Sequence, residues 1–146
     1  MATKYPNPIY RCALVREGSI DTTCKMDGSK AARQLCNQFL ADSPCEVLLC
    51  VLLDTKNRVI GAVPITQGTL DASLVHPREF FRPAIIANAS SVILAHNHPS
   101  GDLTPSPQDE EVFNRLKKCG SIVGIEVVDS IIVDGVGGSL SMREIV

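Results

Sequence analysis

Apolar blocks of strand length alternate in this chain with amphipathic stretches of helix length. The strongest block is Val47-Leu-Leu-Cys-Val-Leu-Leu53, preceded by Cys45 and Glu46. A continuous apolar run of this kind suits a strand covered on both faces. Asp54-Thr-Lys-Asn57 interrupts it with turn formers, and residues 58–65 resume it, so a hairpin is predicted. A second block, Ser91-Val-Ile-Leu-Ala95, runs into His96 and is closed by Pro99-Ser-Gly101, which predicts a buried strand over 91–96. Residues 122–133 predict one or two more strands. Weaker strands are expected over 9–15, 68–74 and, as a final edge, 139–145, after a turn at 134–138. Helical spacing places Ala32, Leu35, Cys36, Phe39 and Leu40 on one face of a helix capped by Ser29 and ended by Asp42-Ser-Pro44. A second helix opens at His76-Pro77 and runs to about Asn88, with Pro83 expected to kink or divide it. A third opens at Ser106-Pro107 and runs to about Lys118, with Gly120 as its C-terminal cap. Residues 1–8 hold two prolines and no periodicity and read as a flexible arm, leaving 9–146 as one domain. Interleaved strands, helices and hairpins predict a mixed sheet flanked by helices, in the α/β class.

Composition narrows the class. At 146 residues, the chain is one domain by length and can bury a core. Aromatic residues make up only 4% and tryptophan is absent, so that core must be aliphatic. The formal net charge is −2 with no run of Lys or Arg, which argues against a strong nucleic-acid footprint. The first residues hold no apolar signal-peptide core, and no apolar run approaches the ~20 residues that span a bilayer. Six cysteines stand at 12, 24, 36, 45, 50 and 119 with no C-x-x-C pair. Reduced thiols in a cytoplasmic protein without membrane association are the expectation.

Candidate chemistry concentrates after the second block, in His96-Asn-His-Pro-Ser-Gly-Asp-Leu-Thr-Pro-Ser-Pro-Gln-Asp109, which holds two of the three histidines. On a strand, residues two apart point to the same side about 6.6 Å apart. His96 and His98 can therefore aim at one point while Asn97 aims away. The helix start puts Asp109 in the first turn, facing back towards them. Two imidazoles and a carboxylate make three ligands, and a catalytic zinc keeps its fourth position open. Ser106 and Asp109 also spell an acidic capping box, which requires no metal.

The spacing His96-x-His98, seven residues, Ser106, two residues, Asp109 resembles the signature of JAB/MPN (JAMM) metallopeptidase domains. The wording of 96–109 is still closer to RadC-like proteins, whose C-terminal domain is of JAB type. Residues 53–60, Gly68-Thr-Leu70, His76-Pro-Arg-Glu79 and Asp129-Ser-Ile-Ile-Val133 look like segments of that family, and the similarity runs from about Lys25 to the end. The contiguous His96-Asn-His98 only coincidentally spells the HNH nuclease label, whose letters name separated positions. The resemblance implies a three-layer α/β/α JAB/MPN fold with a mixed, mostly antiparallel sheet. It also implies a Zn2+ ion on His96, His98 and Asp109.

A hydrolytic zinc site also needs a base. Glu46 heads a strongly apolar strand, where a charge stands either at the solvated end or in a placed role. The resemblance favours the second reading, because Glu46 matches the family's general acid/base. Ser106 matches the serine that steadies the carbonyl oxygen, although the same hydroxyl can cap the helix. Cys45 faces away if Glu46 faces the metal. His76 reads as a helix opener rather than a fourth ligand, and Arg78, Glu79 and Arg82 read as a solvated helix face. Asn97 and Ser100 are expected to hold the loop that Pro99 and Gly101 shape. Two departures stand out. Ser130 occupies a position where RadC-like chains commonly carry His, and the 146 residues hold no helix-hairpin-helix pattern. The expected function is zinc-dependent cleavage of a peptide or isopeptide bond in a peptide or protein substrate. The short segments argue against a dedicated deubiquitinase. The alternative is a DNA-repair-associated accessory module with a structural or vestigial metal site. Exposed edge strands would allow a homodimer.

Overall fold

A computed structural model describes residues 4, 6–19, 29–41, 43–68 and 75–145. Its elements in chain order are α1 (Ser29–Leu40), β1 (Val47–Leu53), β2 (Val59–Gln67), α2 (Pro77–Ile86), β3 (Ser91–Asn97), α3 (Pro107–Val123), β4 (Glu126–Val133), β5 (Ser139–Ser141) and α4 (Met142–Ile145). The strands form one sheet in the order β2-β1-β3-β4-β5. All neighbours pair antiparallel except β3 and β4, which are parallel and joined through α3. A parallel pair needs such a crossover, whereas β1 and β2 close with a short turn. There the Asp54 carboxylate accepts the Lys56 and Arg58 backbone N–H groups.

The apolar runs are buried because both faces of the central strands are covered. On one face Leu48, Cys50, Leu52, Val92 and Leu94 pack with Phe80, Phe81 and Ala84 of α2 and Val112, Phe113 and Leu116 of α3. On the other, Leu49, Val51, Ile93, Ala95 and Ile131 pack with Ala32, Leu35, Cys36 and Leu40 of α1. The result is helix, sheet, helix: the expected three-layer α/β arrangement. Each buried Leu or Phe contributes roughly 1.5–3 kcal/mol of transfer free energy, so β1 and β3 form a rigid platform. Functional groups at their ends inherit that rigidity.

Several elements depart from the sequence reading. Residues 9–15 carry no strand, and Ile9, Tyr10 and Val15 are exposed. The strand expected over 68–74 lies outside the described residues, Gly68 excepted. Pro83 does not divide α2 into two helices; it is buried, and the helix continues to Ile86. α3 runs past Gly120 to Val123 and is capped by Gly124 at φ 79°. Ile122 and Val123 are therefore helical rather than the start of β4. The last expected strand is split, since only 139–141 pair and 142–145 are helical. Buried Asp129 governs this end of the chain. Its carboxylate accepts the Ser130 and Arg143 backbone N–H groups and the Ser141 hydroxyl, which ties β5 and α4 to β4.

Candidate metal centre

β3 carries His96 on the same face as Val92 and Leu94, beneath α2 and α3, and His98 follows immediately after the strand. The chain then turns through Gly101, at φ 84°, a left-handed conformation that favours glycine. The Asp102 carboxylate accepts the Thr104 N–H at 3.0 Å, and the Ser100 hydroxyl accepts the Asp102 N–H at 3.4 Å. Ser106 is the N-cap of α3, and Pro107 occupies the first helical position without sacrificing a hydrogen bond. The capping box is complete: the Ser106 hydroxyl accepts the Asp109 N–H at 3.1 Å, and Asp109 Oδ2 accepts the Ser106 N–H at 2.8 Å.

The same carboxylate faces both imidazoles. Asp109 Oδ1 lies 3.1 Å from His96 Nε2, and Oδ2 lies 3.2 Å from His98 Nε2. The two Nε2 atoms are 3.1 Å apart. Capping box and ligand triangle are thus not alternatives here, because one carboxylate forms both. A zinc ion holding tetrahedral ligands at 2.0–2.1 Å sets their atoms about 3.3–3.4 Å apart, close to this triangle.

The donor chemistry gives a second test of fit. His98 Nδ1 lies 2.6 Å from the Asp102 carbonyl, which can only accept, so Nδ1 carries the proton. That leaves His98 Nε2 as the ring atom facing His96 and Asp109. Burial alone would raise the Asp109 carboxyl, but the hydrogen bond from His96, that ring's charge, the Ser106 N–H and His98 outweigh it and lower the pKa to about 2. Asp109 is therefore ionised at neutral pH. The three facing groups converge at about 3 Å, close enough to share one cation. Two imidazolium rings at this separation would repel each other, whereas one divalent ion satisfies all three groups. His96, His98 and Asp109 are the group of potential ligands that can meet at one ion among the described residues.

Glu46 precedes β1. Continuing the antiparallel register beyond Leu48↔His96 sets it opposite His98, and alternation with Leu48 and Cys50 gives it the His96 face of the sheet. Cys45 accordingly belongs to the opposite face. His76 is the exposed N-cap of α2 and lies outside the ligand group. Arg78, Glu79 and Arg82 are exposed on α2, with Arg82 and Glu79 3.6 Å apart. Among the buried polar atoms that lack a hydrogen-bond partner among the described residues are His96 Nδ1 and Ser130 Oγ. Ser130 pairs with Leu94 and shares the His96 face.

Two contributors escaped the sequence reading. Asp102 orients His98 through its main-chain carbonyl, which leaves no side-chain signature. Asn97, expected to hold the loop, bonds to the start of β1 instead: its Oδ1 accepts the Val47 N–H and its Nδ2 donates to the Cys45 carbonyl.

Fold and site together define a mixed α/β domain with two histidines at a strand end and an aspartate in the first turn of the following helix. This is the arrangement expected of a JAB-type domain. The family model for the RadC-like JAB domain matches residues 26–145, and the chain belongs to that family. A UPF0758 protein of Rubrobacter xylanophilus is 54% identical over 105 residues, covering 72% of this chain and 45% of the relative. UPF0758 proteins of Finegoldia magna and Thermotoga maritima are each 47% identical, covering 86% and 82% of this chain and 56% and 53% of theirs. The chain spans about half the length of these curated relatives.

Proposed function

We propose that this domain is a zinc-dependent hydrolase of the JAMM type that cleaves a peptide or isopeptide bond in a peptide or protein substrate. The observation that carries the reading is the convergence of His96 Nε2, His98 Nε2 and the Asp109 carboxylate at 3.1–3.2 Å, with Glu46 at the adjoining strand end. His96, His98 and Asp109 would hold the ion. When bound, zinc supplies Lewis acidity that polarises a scissile carbonyl and lowers the pKa of water.

The remaining chemistry belongs to the chain's own groups. Glu46 takes the proton from the attacking water and returns it to the leaving amine, acting as base and then acid. The Ser106 hydroxyl oxygen accepts the Asp109 N–H, while its own proton is available to donate. It can therefore cap α3 and also steady the substrate's carbonyl oxygen, since acceptance and donation use different parts of the group. The Asp102 carbonyl keeps the proton of His98 on Nδ1, preserving Nε2 as a ligand.

The test is a cleavage screen of a peptide mixture by mass spectrometry with zinc-loaded wild type and Glu46→Gln. Wild type is expected to generate new termini, and Glu46→Gln to keep its zinc while turnover falls roughly 100-fold or more. Equal turnover by the variant would remove Glu46 from the reaction.

A further inference from the structure

Main-chain pairing between β1 and β3 runs from Leu53↔Ser91 to Leu48↔His96 and ends there, one residue short of Val47 and Asn97. Beyond it a side chain takes over the ladder. Asn97 Oδ1 accepts the Val47 N–H at 2.8 Å, and Asn97 Nδ2 donates to the Cys45 carbonyl at 3.0 Å. The carboxamide thus grips the residues on either side of Glu46. On the other edge, the Gly68 N–H donates to the Glu46 carbonyl at 2.8 Å. Glu46 lies ahead of β1, where a strand end would ordinarily fray, yet its backbone is tied towards both neighbouring strands.

We propose that Asn97 is a positioning residue, whose buried carboxamide fixes the 45–47 backbone and so holds the Glu46 carboxylate beside the His96–His98–Asp109 triangle. The proposal rests on the reading of Glu46 as general acid/base. The chemistry of the pair is selective. Asparagine presents one acceptor and one donor at this reach, whereas aspartate would set a carboxylate oxygen against the Cys45 carbonyl and lose the donor. The same residue separates the two ligands of His96-Asn-His98, so one β3 segment fixes the metal ligands on one side and the base on the other. A misplacement near 1 Å at a reacting group can cost on the order of 100-fold in rate, which gives such a clamp its value.

Cobalt(II) is the probe that tests this without a substrate. Wild type, Asn97→Ala, Asn97→Asp and Glu46→Gln are loaded with cobalt, and affinity and visible spectrum are measured. Loss of the carboxylate from beside the centre should shift the Glu46→Gln spectrum. Both Asn97 variants are expected to shift it in the same direction while losing less than the roughly 10-fold in affinity that follows removal of a ligand's own support. Asn97 variants with the wild-type spectrum, beside a shifted Glu46→Gln, would overturn the clamp. A larger loss of cobalt affinity would also overturn it, making Asn97 a support of the ligands. An unshifted Glu46→Gln would overturn the reading of Glu46, and the clamp with it. Should neither Asn97 variant fold, amide exchange in wild type decides. A Val47 N–H as protected as the neighbouring ladder amides supports the clamp, and one that exchanges like an exposed amide overturns it.

Discussion

Asp109 meets two demands with one carboxylate: it caps α3 through Oδ2 and faces both imidazoles. The helix start is therefore a part of the candidate metal site, and the helix dipole favours the negative charge it carries there. This coupling has a pH signature in the metal-free protein. The folded carboxyl titrates at about 2, against an ordinary 3.8. A depressed folded pKa contributes stability that is present above the ordinary value and lost as pH falls through the folded one. Urea unfolding of the metal-free protein should therefore lose about 2 kcal/mol between pH 4 and pH 2 from this group. Asp109→Asn should remove that component of the slope. An equal slope in the variant would place the acid sensitivity elsewhere. At this scale the sequence was informative where chemistry resides in side chains. His96, His98 and Asp109 fall within one short stretch whose strand and helix periods aim them together. It was silent on Asp102, which acts through a carbonyl, and it misplaced Asn97, whose partners lie about 50 residues away on β1.

α3 shows how a local signal can be outvoted by packing. Gly120 lies where the apolar periodicity weakens, and a glycine near such a point reads as a cap. In the fold it sits inside the helix against the turn into β4, where an added Cβ would meet the Ile125 carbonyl oxygen at 2.4 Å. Gly120 is needed for close approach, and Gly124, at φ 79° with open space around it, is the left-handed cap. The two substitutions should separate. Gly124→Ala should cost about 1 kcal/mol for the strained backbone. Gly120→Ala should cost more, up to about 3 kcal/mol, because backbone must move. Equal costs in urea melts would contradict this assignment. The same logic explains β5. The sequence predicts one terminal strand, but Asp129 draws the Ser141 hydroxyl and the Arg143 N–H inward, and the chain turns into α4. Long apolar runs such as β1 and β3 were legible because their burial is uniform. Residues 9–15 mimicked such a run in composition but lie exposed.

At the scale of the whole molecule, two helix layers seal the sheet and leave the His96 end of β3 as the place where buried polar chemistry meets the surface. The described cysteines are free. Burial pushes the Cys50 thiol up to about 12, and burial together with the Asp129 charge does the same to Cys36. Thiolate is the reactive form, so iodoacetamide at pH 8 should label exposed Cys12 in the native protein and spare Cys36 and Cys50 until unfolding. Early labelling of either core cysteine would contradict the closed layers. No helix among the described residues is long and apolar enough to cross a membrane. The layered architecture was legible from the order of its blocks, and the family from the residues of one loop. The central claim is that His96, His98 and Asp109 hold a metal ion, and its most direct test is elemental analysis of purified wild type beside the His96→Ala/His98→Ala double variant. The account predicts about one zinc per chain in wild type, as three protein ligands to a single ion imply, and none in the folded variant. No metal in wild type after zinc is added back, or equal zinc in both proteins, would contradict it.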